Sequence, residues 1–216
     1  MGRESKSTKK RALARSRGRD YLLPPVMAKL YFRYGAVGSA KTLNLLAVAH
    51  SYRSQGKKVL LLKPELDTRF GKEAIRSRSG LEKEADILIN EKTRLSGKDF
   101  IGLHCILVDE AQFLTRDFID HLGDIVRAYN IPVICFGLRT DFKRGLFEGS
   151  KRLMEIADSI EEVKTTCHFC NRKALFNIKF VGNSAVLDGP SIELGAEEKY
   201  LPSCRTCYYE KTKSLR

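Results

Sequence analysis

The chain has 216 residues, 43% hydrophobic and 30% charged, proportions of a globular protein with a buried core and not of a wholly disordered or fibrous one. No run approaches the roughly 18 consecutive apolar residues that span a bilayer as a helix, so no membrane-spanning helix is expected. The formal net charge of +13 points to phosphate-bearing partners, but residues 1–26 hold eight Lys or Arg against Glu4 and Asp20 and so carry +6 of it.

In chain order, residues 1–26 have dense charge, low hydrophobicity and no apolar periodicity, and read as a disordered basic extension. The same Arg- and Ser-rich composition leaves open a transit peptide, a nucleic-acid arm, or an extension ahead of a second start at Met27. The apolar block of a secretory signal is missing, so a cytoplasmic protein is expected, and its six cysteines read as metal ligands or core residues before disulfides. After Pro24 and Pro25 the composition changes, and residues 26–34 (VMAKLYFRY) read as a strand. Residues 41–55 place Leu43, Leu46, Ala47 and His50 near helical spacing, and Gly56 ends the helix.

Residues 58–63 (KVLLLK) and 104–109 are apolar strands of the kind buried on both faces of a parallel sheet. Between them, residues 64–98 read as flexible loops around a short helix or strand near 85–89, a candidate lid over a substrate. A helix is predicted over 113–129, a strand over 131–136, a helix over 150–157, and a last strand within 160–166. This alternation implies an α/β fold, a parallel sheet flanked by helices. The expected division is 27–166 for that domain and 167–216 for a small zinc-binding β-ribbon lobe.

Gly35-Ala36-Val37-Gly38-Ser39-Ala40-Lys41-Thr42 lies between the first strand and first helix, where a phosphate loop belongs. Small residues let backbone N–H groups close around phosphate oxygens, Lys41 reaches the β- and γ-phosphates, and Thr42 offers a hydroxyl to Mg²⁺. Ala40 stands where glycine ordinarily precedes the lysine. If that position needs positive φ, alanine costs about 1 kcal/mol. The bland reading is a small-residue turn opening a helix.

The strand at 104–109 ends in Asp109 and Glu110, which delivers carboxylates to the sheet edge where ligands bind. Asp109 is read as holding Mg²⁺ and Glu110 as a general base. Asp-Glu after an apolar strand also occurs in helicase-type ATPases, so the pair alone does not choose between hydrolysis and transfer to an alcohol. Cys167-His168-Phe169-Cys170 and Cys204-Arg205-Thr206-Cys207 are two C-x-x-C pairs separated by 33 residues. They read as a closed, structural Zn²⁺ site, with His168 a less favoured ligand; Cys105 and Cys135, inside apolar strands, read as core.

Together the phosphate loop, Asp109-Glu110-Ala111-Gln112-Phe113, Gly137-Leu138-Arg139-Thr140-Asp141-Phe142 and the late cysteine quartet resemble the zinc-containing thymidine kinase family, nearer its bacterial members. The resemblance covers Met27 to Tyr209. It implies transfer of the ATP γ-phosphate to the 5′-hydroxyl of thymidine or deoxyuridine, with Glu110 as base and Asp67, Arg69, Asp109 and Gln112 beside the metal and phosphates. It further implies that Phe113, Leu138, Phe142 and Phe147 line the base pocket. The base is then held by a loop over Ile192, Glu193, Leu194, Gly195 and Tyr200. A homotetramer inhibited by dTTP is likewise implied. Ala40, and Ala196 where many relatives carry glycine, depart from the pattern and leave open a catalytically weak relative. A nucleic-acid-binding ATPase with a zinc module is the other reading, although nucleic acid is not an expected partner.

Overall fold

The structure, a computed structural model, describes residues 27–69, 71–191 and 200–213. The basic extension and Ile192, Glu193, Leu194 and Gly195 lie outside them.

In chain order the elements are β1 (Leu30–Tyr34), α1 (Lys41–Ser54), β2 (Lys58–Pro64), a hairpin of β3 (Ala74–Arg76) and β4 (Glu82–Glu84), β5 (Ile87–Ile89) and β6 (Leu103–Val108). Then come α2 (Arg116–Tyr129), β7 (Val133–Gly137), α3 (Glu148–Ile156), β8 (Ser159–Glu162), β9 (Phe176–Val181), β10 (Ser184–Val186), β11 (Tyr200–Ser203) and α4 (Arg205–Thr212). Six strands form one parallel sheet in the order β5-β2-β6-β7-β1-β8.

Strand periodicity explains the two layers on this sheet. Val59 and Leu61 of β2, Cys105 and Leu107 of β6, and Ile134 and Phe136 of β7 pack with Leu45, Leu46 and Ala49 of α1. The alternate residues Leu60 and Leu62, Ile106 and Val108, and Val133 and Cys135 pack with Phe118, Ile119, Leu122, Ile125 and Val126 of α2 and Leu153 of α3. Each central strand is apolar at successive positions because both faces are covered. Full burial of each such side chain contributes about 1.5–3 kcal/mol. Cys105 and Cys135 are buried core thiols, and burial pushes Cys105 up to about 12.

Several boundaries differ from the sequence reading. β1 starts at Leu30, because Ala28 donates its N–H to the Asn130 side chain instead of joining the ladder. The buried stripe of α1 is Leu45, Leu46 and Ala49, while Ala47 and His50 are exposed, since a helix apolar on several sides hides its inward face. α2 begins at Arg116, where the Thr115 hydroxyl accepts from the Phe118 N–H; Phe113 lies in a preceding 3-10 turn. Residues 64–98 are more ordered than expected: they contain the hairpin, anchored by the buried Ile75, as well as β5. The last strand of the sheet is shorter, ending at Glu162.

The C-terminal part is a three-stranded antiparallel sheet, order β10-β9-β11, with α4 against it. Tyr208, 1% exposed, packs on Phe176 and donates its hydroxyl to the Phe142 carbonyl at 2.6 Å, tying this lobe to the larger sheet.

Candidate active site

The loop from β1 to α1 makes a tight turn. A Cβ on Gly35 would collide with the Ser39 side chain and the Val163 carbonyl, so only glycine fits. Farther along, Gly38 has φ 75° and Ala40 has φ 63°, ψ 27°, both left-handed. The residue preceding the lysine therefore does require positive φ, and Ala40 adopts it with its methyl exposed. Lys41 is 8% exposed and folds back over the loop, its Nζ donating to the carbonyls of Gly35 (3.1 Å) and Ala36 (3.0 Å). An ammonium poised on loop carbonyls can exchange them for phosphate oxygens.

β6 delivers Asp109 and Glu110 to the same edge. Thr42 donates its hydroxyl to Asp109 at 3.2 Å, uniting the loop threonine with the acidic strand end. These two hard oxygen donors, side by side, fit a magnesium ion that keeps some of its water. Glu110 has φ 50°, a strained conformation for glutamate of the kind found where a side chain must be aimed. It receives the Gln112 amide on one oxygen and Arg69 on the other at 2.7 Å. Arg69 is in turn forked onto Asp67, giving a chain from Asp67 through Arg69 to Glu110. Gln112, expected among the cofactor-binding residues, spends both ends of its amide within the protein, donating to Glu110 and accepting from the Leu138 N–H.

These neighbours drive the two adjacent carboxylates apart. Burial, then the charge of Glu110, pushes Asp109 up to about 7. Burial also opposes ionisation of Glu110, but Arg69 and Lys41 outweigh it and hold this carboxyl below its usual range. Burial is likewise outweighed at Asp67 by Arg69, with help from Lys63. Glu110 is thus held in its ionised form, while Asp109 retains part of its proton near neutral pH, and a cation beside it would favour its ionised form. A cavity of about 230 Å³ opens onto this cluster, walled by residues 37–43, Asp67, Arg69, Asp109, Glu110, Leu138 and the hairpin tip at 76–79.

Among the expected base-pocket residues, Leu138 reaches the wall of that cavity. Phe113 and Phe147 meet edge to face with centroids 5.8 Å apart, and the buried Phe142 lies 6.1 Å from Tyr200. The remainder of the expected base-holding loop lies outside the described residues. Ser191, next to it, donates to Asp141 at 2.7 Å, which pins that end of the loop to the β7 side.

Cys167, Cys170, Cys204 and Cys207 converge, their sulfurs all within 4.8 Å of one another. Cys170 lies 3.7 Å from both Cys204 and Cys207, close to the roughly 3.8 Å between thiolates on a tetrahedral zinc. The quartet fits a closed metal site. His168 stacks edge-on against Phe169 and is not part of this cluster.

Sequence reasoning missed two side chains of this region. Asn177 of β9, 4% exposed, accepts from the Val37 N–H at 2.9 Å, so the cysteine-tied lobe touches the phosphate loop directly. No local signal marks such a contact across 140 residues. Lys63 of β2 stands behind Asp67 at 3.4 Å. Its signal was available: it shares the strand period of Val59 and Leu61, both inward-facing.

The comparisons with known proteins agree with this geometry. A family model described as Thymidine kinase matches residues 28–208. The Thymidine kinase of Lactiplantibacillus plantarum is 45% identical over 188 residues, covering 85% of this chain and 96% of that protein. Those of Lactococcus lactis (42% identical, 85% and 98% covered) and Enterococcus faecalis (44%, 85% and 95%) are similarly close.

Proposed function

Since the chain belongs to the thymidine kinase family, we propose that it transfers the γ-phosphate of ATP to the 5′-hydroxyl of thymidine or deoxyuridine, giving the monophosphate. It is an enzyme acting on a nucleoside, and its family implies ATP and a metal. The nucleic-acid-binding reading and that of a catalytically weak relative are not favoured. The observation that carries the proposal is the Asp67–Arg69–Glu110 chain facing the cavity bounded by the phosphate loop.

In this reading Gly35, Ala36, Val37, Gly38, Ser39 and Ala40 wrap the polyphosphate while Lys41 moves from the loop carbonyls to the β- and γ-phosphate oxygens. Thr42 and Asp109 would hold Mg²⁺, which when bound offsets charge on the phosphates. Glu110 accepts the proton of the 5′-hydroxyl as its oxygen attacks the γ-phosphorus and the bond to the ADP oxygen breaks. Arg69 aligns Glu110 and offers a cation to the transferred group; Gln112 fixes Glu110 from the other side. Leu138, Phe113, Phe142 and Phe147 form the apolar slot for the base, with the loop over residues 192–195 and Tyr200 closing it. Zn²⁺ on the cysteine quartet would fasten that loop's lobe and perform no chemistry.

The same premise extends to dTTP as feedback inhibitor, a homotetramer, a cytoplasmic location, and the division at 26/27 and 166/167. Among the described residues no helix is long and apolar enough to cross a membrane.

Glu110→Gln tests the base directly. Turnover is expected to fall about 10²- to 10⁴-fold while thymidine binding, measured by calorimetry on the same sample, persists. Near-normal turnover removes Glu110 from this role.

A further inference from the structure

The next-to-last residue of β2 is a lysine, Lys63, where the strand's period calls for an apolar residue. Val59 and Leu61 point into the α1 layer, and Lys63 continues that alternation at 1% exposure. A leucine or methionine there would fill the space without burying a charge, and buried ion pairs are poor sources of stability by themselves. The lysine therefore calls for another reason.

Its contacts supply one. The Nζ group donates to the Ala74 carbonyl at 2.7 Å and the Gly71 carbonyl at 3.2 Å, and lies 3.4 Å from Asp67 Oδ2. Two of these contacts are hydrogen bonds to carbonyls and the third is an ion pair with the Asp67 carboxylate. All three belong to the segment that runs from the end of β2 into the hairpin. Asp67 holds Arg69, Arg69 holds Glu110, and Gly71 precedes β3, which Ala74 opens and whose hairpin brings Arg76 to Ser79 to the cavity. One buried cation thus fixes both the arginine relay and the root of the arm beyond it.

We infer that Lys63 is a positioning residue for phosphoryl transfer, holding Asp67 and the Gly71–Ala74 turn so that Arg69 meets Glu110 and the hairpin meets the phosphates. Lys63 does not line the cavity; it acts through its neighbours. This rests on the kinase reading above. Small losses of alignment at a reacting centre cost far more in rate than in ground-state binding.

Lys63→Gln keeps a donor for the turn and removes the charge facing Asp67, whereas Lys63→Arg keeps the charge. Steady-state kinetics with thymidine and ATP are compared across wild type and both variants, with thymidine affinity measured by calorimetry to check the nucleoside side. For Lys63→Gln, kcat is expected to fall by about tenfold or more with the thymidine KM within about twofold, and Lys63→Arg is expected to recover most of the loss. A purely structural lysine gives a different split. If Lys63→Gln turns over like wild type or loses thymidine affinity in step with kcat, or if Lys63→Arg folds yet shows a tenfold or greater fall in kcat, the inference is overturned. Wild-type protein that makes no thymidine monophosphate overturns the kinase reading and this inference together; a competent wild type beside an unimpaired Lys63→Gln overturns the inference alone.

Discussion

Ala40 occupies a left-handed backbone position at which glycine carries no steric cost, φ 63° and ψ 27°. Alanine costs about 1 kcal/mol there, partly offset by a less flexible unfolded chain. Ala40→Gly is therefore expected to raise the melting temperature by no more than about 2–4 °C and to leave thymidine turnover within about threefold. Thermal unfolding and steady-state kinetics check this, and a large gain in turnover would mean that the alanine cripples the loop. The exposed methyl is the reason for expecting tolerance: the strain is in the backbone, and the phosphate loop still closes.

Asp109 offers a pH test at the same scale. Its ordinary value is 3.8, and burial followed by the charge of Glu110 raises it to about 7. A raised value means that the folded chain retains a proton that the unfolded chain releases, so this stability is complete below about pH 4 and is lost as pH rises through 7. Glu110, held low, contributes the other way, but its window lies below its ordinary 4.5. Asparagine cannot titrate. In chelator and without nucleotide, Asp109→Asn is expected to gain stability relative to wild type between pH 5 and 8, on the order of 1 kcal/mol. A difference that does not change with pH contradicts the assignment. Residues such as these were legible in the sequence because each closes an apolar strand or sits in a spaced motif. Asn177 and the partners of Lys63 were not, because their meaning depends on contacts made across the fold.

Elements of the sheet could be read because the apolar runs at β2, β6 and β7 are short, which fits strands covered on both faces. The β3–β4 hairpin escaped because its strands are polar, with Ile75 alone supplying a buried anchor. The helix at 113–129 was placed early because Phe113 fits the apolar period but belongs to a turn that aims Gln112 and Glu110. The cysteine lobe was read from spacing alone, and its link to the phosphate loop gives a testable coupling. If the quartet holds zinc as proposed, Cys207→Ser is expected to lower bound zinc, measured by elemental analysis, and to weaken both thymidine and ATP binding several-fold, since Tyr208 follows Cys207 on α4 and Asn177 lies on β9, which pairs with the β11 strand leading to Cys204. Full metal content with unchanged affinities would separate the lobe from the site.

Across the whole molecule, one sheet edge gathers the loop after β1, the carboxylates after β6 and the turn after β2, while the lobe closes over it through Tyr208, Asn177 and Ser191. That convergence follows from parallel topology, in which strand ends that are far apart in sequence open onto one crevice. The alternation of strand and helix made the topology readable; the strand order and the packing of the lobe needed tertiary structure. Lys41, Thr42, Asp109 and Glu110 within one cavity, in the roles proposed for them, would suit transfer to an acceptor held beside them. The direct measurement is a single-turnover reaction of the purified chain with γ-labelled ATP, Mg²⁺ and thymidine. The label is expected in thymidine monophosphate and only when thymidine is present; label appearing solely as inorganic phosphate, at a rate indifferent to thymidine, would contradict the proposed function.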